Sequence, residues 1–168
     1  MTNISERQFV RQQGFRNATA ASCEHLYPAL MFQPRVLAMI IALGIALQSP
    51  GIWLVLSVLL WWSALVPARN PFDAIYNRFA ARPRKLPLLE PAPGPRRLAQ
   101  AIAGTLSAGA ALCLMRGSRV GAWIFEGVLA AAVTALVFGR FCVGSYLFHL
   151  LRGDLVFANR TLPWSSSE

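Results

Sequence analysis

Residues 36–47 read VLAMIIALGIAL, residues 49–51 read SPG, and residues 52–66 read IWLVLSVLLWWSALV. Two uncharged apolar runs joined by three turn residues specify a helical hairpin, because Ser-Pro-Gly is turn chemistry and neither run offers a polar face to water. Pro34 suits the first turn of the leading helix, where its missing N–H does no harm. At roughly 1.5 Å per residue, Pro34 to Ser49 covers about 24 Å, short of a hydrocarbon core of ~30 Å. Two readings stay open: a hairpin that crosses a locally thinned bilayer, and a re-entrant hairpin that does not. Crossing is preferred, since mismatch costs only fractions of a kcal/mol per Å.

Outward from this hairpin, the composition agrees. The chain has 168 residues, 55% of them hydrophobic and 14% charged, against roughly 25% charged in soluble domains. So little charge leaves a water-exposed surface uncovered, which points to lipid. The same balance excludes intrinsic disorder. Three cysteines are too few for a disulfide scaffold.

Residues 1–33 are polar and mixed, and they carry no convincing leader peptide; they are expected to form a retained cytosolic segment. Residues 34–67 hold the first hairpin. Within 68–97, Asn70 can cap and Pro71 can open a short helix. Phe72, Ile75, Tyr76 and Phe79 then share one apolar face, with Asp73, Asn77 and Arg78 pointing elsewhere. That pattern fits both an interfacial anchor in the headgroup region and a short helix capping a protein core, and the adjoining membrane span favours the interfacial reading. Pro83, Pro87, Pro91, Pro93 and Pro95 make the rest of this segment a stiff basic connector. A second hairpin occupies 98–139, with spans Leu98 to Met115 and Val120 to Gly139 joined by Arg116 to Arg119. In 140–168 a helical continuation presents Ser145, His149 and Arg152 on one stripe, opposite Leu147, Leu150 and Leu151. The expected fold is therefore an all-α membrane protein: four transmembrane helices as two antiparallel hairpins, plus an interfacial amphipathic helix after the second span.

Charge gives the orientation. The formal net charge is +9. Arg7, Arg11, Arg16 and Arg35 precede the first span; Arg69, Arg78, Arg82, Arg84, Lys85, Arg96 and Arg97 lie between the hairpins; Arg140, Arg152 and Arg160 follow the last. Only Arg116 and Arg119 fall on the other side. Basic residues collect in the cytosol, so both termini and the connector are expected there, with the connector against anionic headgroups. Nucleic acid is not an expected partner, because the aromatics lie in apolar faces and not beside an exposed basic groove.

Helices in lipid associate through small residues. Gly104, Ala108 and Ala111 mark such a stripe in the third span; Ala122, Glu126 and Ala130 mark one in the fourth; Ala38, Ala42 and Ala46 mark one in the first. Glu126 is the acidic residue inside a span. It can handle a proton or substrate, or pair structurally with Arg119 or Arg116, and the pair is preferred. Cys23, Cys113 and Cys142 have no metal or CxxC spacing. Cys142, with Cys23 on the same side, is a weak redox candidate; His149 is a minor candidate for ligating haem or chlorin. No cofactor and no metal are expected, and no soluble-enzyme motif is present.

Several segments occur together: Phe32-Gln33-Pro34-Arg35, Asn70-Pro71-Phe72-Asp73 with Tyr76-Asn77, Pro91-Ala92-Pro93-Gly94-Pro95-Arg96-Arg97, and Phe141-Cys142-Val143-Gly144. In this order between apolar hairpins, from about Cys23 to Gly153, the chain resembles an uncharacterised bacterial family of small polytopic membrane proteins, the domain of unknown function 4395 family. The resemblance implies a bacterial inner-membrane protein and supplies no activity. It also implies, for many members, a second cysteine three positions after the first; here that position is Ser145. The expected role is a non-enzymatic accessory, scaffold or assembly subunit packing against a membrane-protein partner or a second copy. The alternatives are a thiol-redox component using Cys142 with Cys23 and, less favoured, a small transporter centred on Glu126.

Overall fold

A computed structural model describes residues 4–165, and these form helices with no strand among them. Eight α-helices follow one another: α1 (Ile4–Gln12), α2 (Ala20–Leu47), α3 (Pro50–Leu65), α4 (Pro71–Tyr76), α5 (Gly94–Met115), α6 (Arg119–Val137), α7 (Val143–Leu151) and α8 (Leu155–Arg160). A 3₁₀ turn, Pro67–Arg69, precedes α4, and a π-helical turn, Asn77–Ala81, extends it.

Three helices are long and apolar enough to cross a membrane: Ala21–Leu47, Gly94–Met115 and Arg119–Val137. The apolar helix Pro50–Leu65 is shorter, about 24 Å at 1.5 Å per residue. Large apolar side chains stand exposed along these helices, among them Met39, Leu43, Val55, Val58, Trp123 and Ile124. Water would not tolerate such a belt, and acyl chains do. The chain is a multi-pass integral membrane protein.

The long helices pack as a ring. α3 lies along α5, α5 along α6, and α6 along α2, whereas α2 and α3 meet mainly near their shared turn. Ser57 Oγ donates to the Gly104 carbonyl at 2.9 Å, and Arg97 Nε donates to the Ala64 carbonyl at 2.7 Å. As numbers rise along α3 they fall along α5, so the two run antiparallel. Phe125 against Gly109 and Gly121 against Cys113 show the same for α5 and α6.

Two apolar cores result. The bundle core joins Leu37, Ile41, Trp53, Leu56, Leu60, Phe72, Leu129 and Val133. The cap core joins Phe9, Val10, Cys23, Leu30, Met31, Tyr76 and Leu89. α2 runs through both.

This continuity revises the boundary expected between 33 and 34. Pro28 and Pro34 both lie inside α2, and neither begins it. Thr19 caps the helix by accepting from the Ser22 N–H. An interior proline costs about 3 kcal/mol; burial of Cys23, Ala29, Leu30 and Met31 in the cap core offsets it. The expected interfacial face also divides. Phe72 and Tyr76 are buried and Ile75 and Phe79 are exposed, because Asp73 turns inward to a charged partner. The helical continuation after residue 140 is likewise rotated. Ser145 and His149 are buried, while Leu147 and Leu151 face outward. The third span begins at Gly94, four residues before Leu98, so Arg96 and Arg97 belong to helix and not to the connector.

Candidate functional site

The joint between the two cores is polar. Arg96, on the first turn of α5, donates from Nη1 to Asp73 Oδ2 at 3.0 Å and from Nη2 to Asp73 Oδ1 at 2.6 Å. The same Nη2 donates to Gln33 Oε1 at 2.7 Å, and Gln100 Nε2 donates to that oxygen at 3.0 Å. All four side chains are buried. A two-toothed arginine–carboxylate pair withdrawn from water fixes geometry strongly, because losing either partner strands the other charge. Asn70 extends the joint. It caps α4 by accepting from the Phe72 N–H at 3.0 Å and accepts the Ser63 hydroxyl at 3.1 Å. Asn77 then clamps the connector, accepting the Leu89 N–H at 2.8 Å and donating to the Leu89 carbonyl at 3.2 Å.

Beside this joint is an apolar cleft of about 310 Å³ between α2, α5, α6 and α7. Gln33, Arg96, Gln100 and Cys142 contribute to one end of its wall; Leu37, Leu106, Val128 and Val133 continue it along the bundle. α7 packs closely on α5 and only lightly on α6. The close side depends on Gly144, where a Cβ would lie 2.6 Å from Ala99 Cα.

The chain ends clasp one another above the cleft. Gln12 Oε1 accepts the Cys142 N–H at 2.9 Å, and the Gln12 carbonyl accepts His149 Nε2 at 3.1 Å. With its Nε2 proton given to that carbonyl, the imidazole turns Nδ1 toward Arg16 Nη2, 3.5 Å away. Burial holds the His149 pKa below the ordinary imidazole value; the Gln12 bond partly opposes this, and nearby Arg16 adds to it. Arg16 pairs with Asp154 and holds that carboxyl below its usual range. Its guanidinium also stands 4.3 Å from the centre of the Phe157 ring. Arg140 reaches Ser5 and lies 3.6 Å from Glu6.

The other expected site residues are placed as follows. Gly104, Ala111, Ala122 and Glu126 are buried; Ala108 and Ala130 are half-buried. Ala42 and Ala46 are exposed, so that part of the first-span stripe faces away from the protein. Glu126 receives Gln48 Nε2 at 3.0 Å from the turn between α2 and α3; this partner replaces the expected Arg119 or Arg116. Gln48 takes a left-handed conformation at the end of α2, which brings its amide to α6. Cys23 sits in the cap core and Cys142 in the cleft wall. Trp53 is fully buried, whereas Trp62 is exposed and donates to the Arg69 carbonyl at 3.1 Å. No group of three or more His, Cys, Asp or Glu able to hold a metal occurs among the described residues.

Charged-tie residues Asp73 and Arg96 and the amide Gln100 were not singled out as site residues by sequence reasoning. The signal for the first two was present: Gln33, Asp73 and Arg96 belong to three separate segments that carry the family resemblance, and folding brings the three together. Residues 28–152 match the profile of a family described as a domain of unknown function (DUF4395). The chain belongs to the DUF4395 family. The DUF4395 match takes in the whole polar joint and most of the cleft wall; α1 and α8 lie outside it, and with them Phe9, which along with Gln13 also lines the cleft. No curated protein and no solved structure matches the chain.

Proposed function

We propose that this DUF4395 protein is a four-span protein of the bacterial inner membrane, with both termini cytosolic, serving as a non-enzymatic accessory or assembly subunit for a membrane partner. α3 supplies the fourth crossing in this reading, because it lies antiparallel along α5 and carries no charge. The 3₁₀ turn after it lengthens the element toward the headgroups. The exposed Arg82, Arg84 and Lys85 face anionic headgroups.

The observation that carries the reading is the division of labour among side chains. The buried charged pair is committed to holding α4 on α5, while α3 and α6 offer Leu54, Val58, Trp61, Trp123 and Ile124 outward. A surface rich in tryptophan and aliphatic side chains is able to receive another helix as well as lipid. Native mass measurement after gentle solubilisation, with identification of whatever co-purifies, tests the role. A strictly monomeric, partner-free protein overturns it. Placement is tested separately by Lys85→Cys, whose thiol is expected to react with a membrane-impermeant maleimide only in inside-out vesicles.

The thiol-redox alternative rests on Cys142, which lies in the wall of the cleft. A mixed disulfide trapped on Cys142 that disappears in Cys142→Ala and survives in Cys23→Ala would replace the accessory reading.

A further inference from the structure

Where the polar joint meets the cleft, the amides of Gln33 and Gln100 each leave one atom over. Arg96 can only donate, so the Gln33 atom facing it is the oxygen. That oxygen also takes a bond from Gln100, so the Gln100 atom facing it is the nitrogen. Both amides are thereby oriented. Gln33 Nε2 and Gln100 Oε1 are left buried without a partner. Each residue forms part of the wall of the cleft, and each is more than nine-tenths buried. An unpaired buried polar atom costs about 1–3 kcal/mol, so two on residues that wall the same apolar cavity call for an occupant.

We propose that the cleft binds an uncharged lipid alcohol, with its hydroxyl seated between Gln33 and Gln100 and its hydrocarbon chain along Leu37, Leu106 and Val133. A hydroxyl accepts one hydrogen bond and donates another, which matches the pair that remains. An ether, ester or quinone carbonyl only accepts, and leaves Gln100 Oε1 bare. A carboxylate has no free cation to meet, because Asp73 already holds Arg96. The direction also fits. The polar end lies at the joint with the cap, and the apolar walls lead toward the middle of the bundle, from Arg96 to Leu106 about 15 Å along α5. Val128, Val143 and Leu147 form an exposed apolar rim through which a lipid enters sideways. The volume, about 310 Å³, lies at the lower end of small-molecule sites, roughly 300–1,000 Å³.

The test uses full-length protein in phosphatidylcholine vesicles and a hexadecanol bearing a mid-chain diazirine. Photolabelling is expected on α5 and α6 peptides that line the cleft. Unlabelled hexadecanol should compete, and hexadecyl methyl ether should compete roughly tenfold less well, the worth of one lost hydrogen bond. In Gln100→Leu the two competitors should become equal. Ala132→Phe, which puts a larger side chain into the cleft wall, should abolish labelling and still give a monodisperse protein of unchanged helicity. Label spread evenly over outward-facing side chains, or equal competition by ether and alcohol in the native protein, overturns the proposal. A single water bridging the two amides is the rival occupant, and it predicts no competition by hexadecanol. Should Gln100→Leu fail to fold, the ether comparison and Ala132→Phe still decide.

Discussion

The cap and the bundle are held together by different physics. In the cap, side chains tie separate segments by hydrogen bonds to backbone or side-chain groups: Gln8 to the Ser165 carbonyl, Gln12 to the Cys142 N–H, Asn77 to the Leu89 N–H, and Arg96 to the Asp73 carboxylate. In the bundle, apart from Ser57 to Gly104, Arg97 to Ala64 and Gln48 to Glu126, the long helices meet mainly through close apolar surfaces. The contrast follows from the solvent. Acyl chains give no hydrophobic reward for burying leucine, so the bundle relies on close approach. The cap is offered water, and directional bonds there choose one arrangement among many compact ones.

The largest effect should come from the seam between the two. Arg96→Leu leaves Asp73 buried and unpaired, and should cost about 3–5 kcal/mol in detergent unfolding. Adding Asp73→Leu should restore much of that loss. If the double variant is as unstable as the single, the pair is not the source of the effect. Next comes the bundle. A Cβ on Gly104 would lie 2.9 Å from the Trp61 ring, so Gly104→Leu should destabilise by about 1–3 kcal/mol. The half-buried Ala108 should tolerate leucine better. Equal losses at 104 and 108 would show that shape is less critical there than the structure implies.

Acid should separate the halves without mutation. His149 and Asp154 are both held below their ordinary values. The unfolded chain therefore takes up protons that the folded one refuses, and stability falls as pH falls. For His149 the loss begins as pH drops below about 6.5 and is complete below its folded value; Asp154 adds a loss in the carboxylate range. Hydrogen exchange in α1 and α7 should quicken between neutral pH and pH 5 while α5 and α6 stay protected. Uniform protection throughout would contradict the assignment of a neutral His149 to the clasp. The smallest effect is expected at Glu126→Gln. The amide keeps an oxygen for Gln48, so the change should be about 1 kcal/mol or less by thermal unfolding.

The apolar lengths of the bundle were legible in sequence, because a run of leucine, valine and alanine means the same thing wherever it occurs. So was Pro71 as a helix opening, whereas Pro50, read as part of the turn, is the residue that opens α3. What was hidden depends on partners far along the chain. Pro28 and Pro34 look like breaks until α1 is seen covering the same turns. Asp73 looks solvent-facing until Arg96, twenty-three positions on, is placed beside it. His149 looks exposed on a polar stripe until the Gln12 carbonyl occupies the space above it. Of the candidate site, Gln33, Asp73 and Arg96 were visible only as neighbours of conspicuous prolines, and Gln100 had no signal at all, sitting among alanines in an apolar run.

The unbroken α2 makes one shaft common to both cores. Its 28 residues span about 42 Å, more than the acyl layer needs. On the length beyond that, α1 packs in the cap core. Whatever grips that length holds the buried half by the same rigid rod.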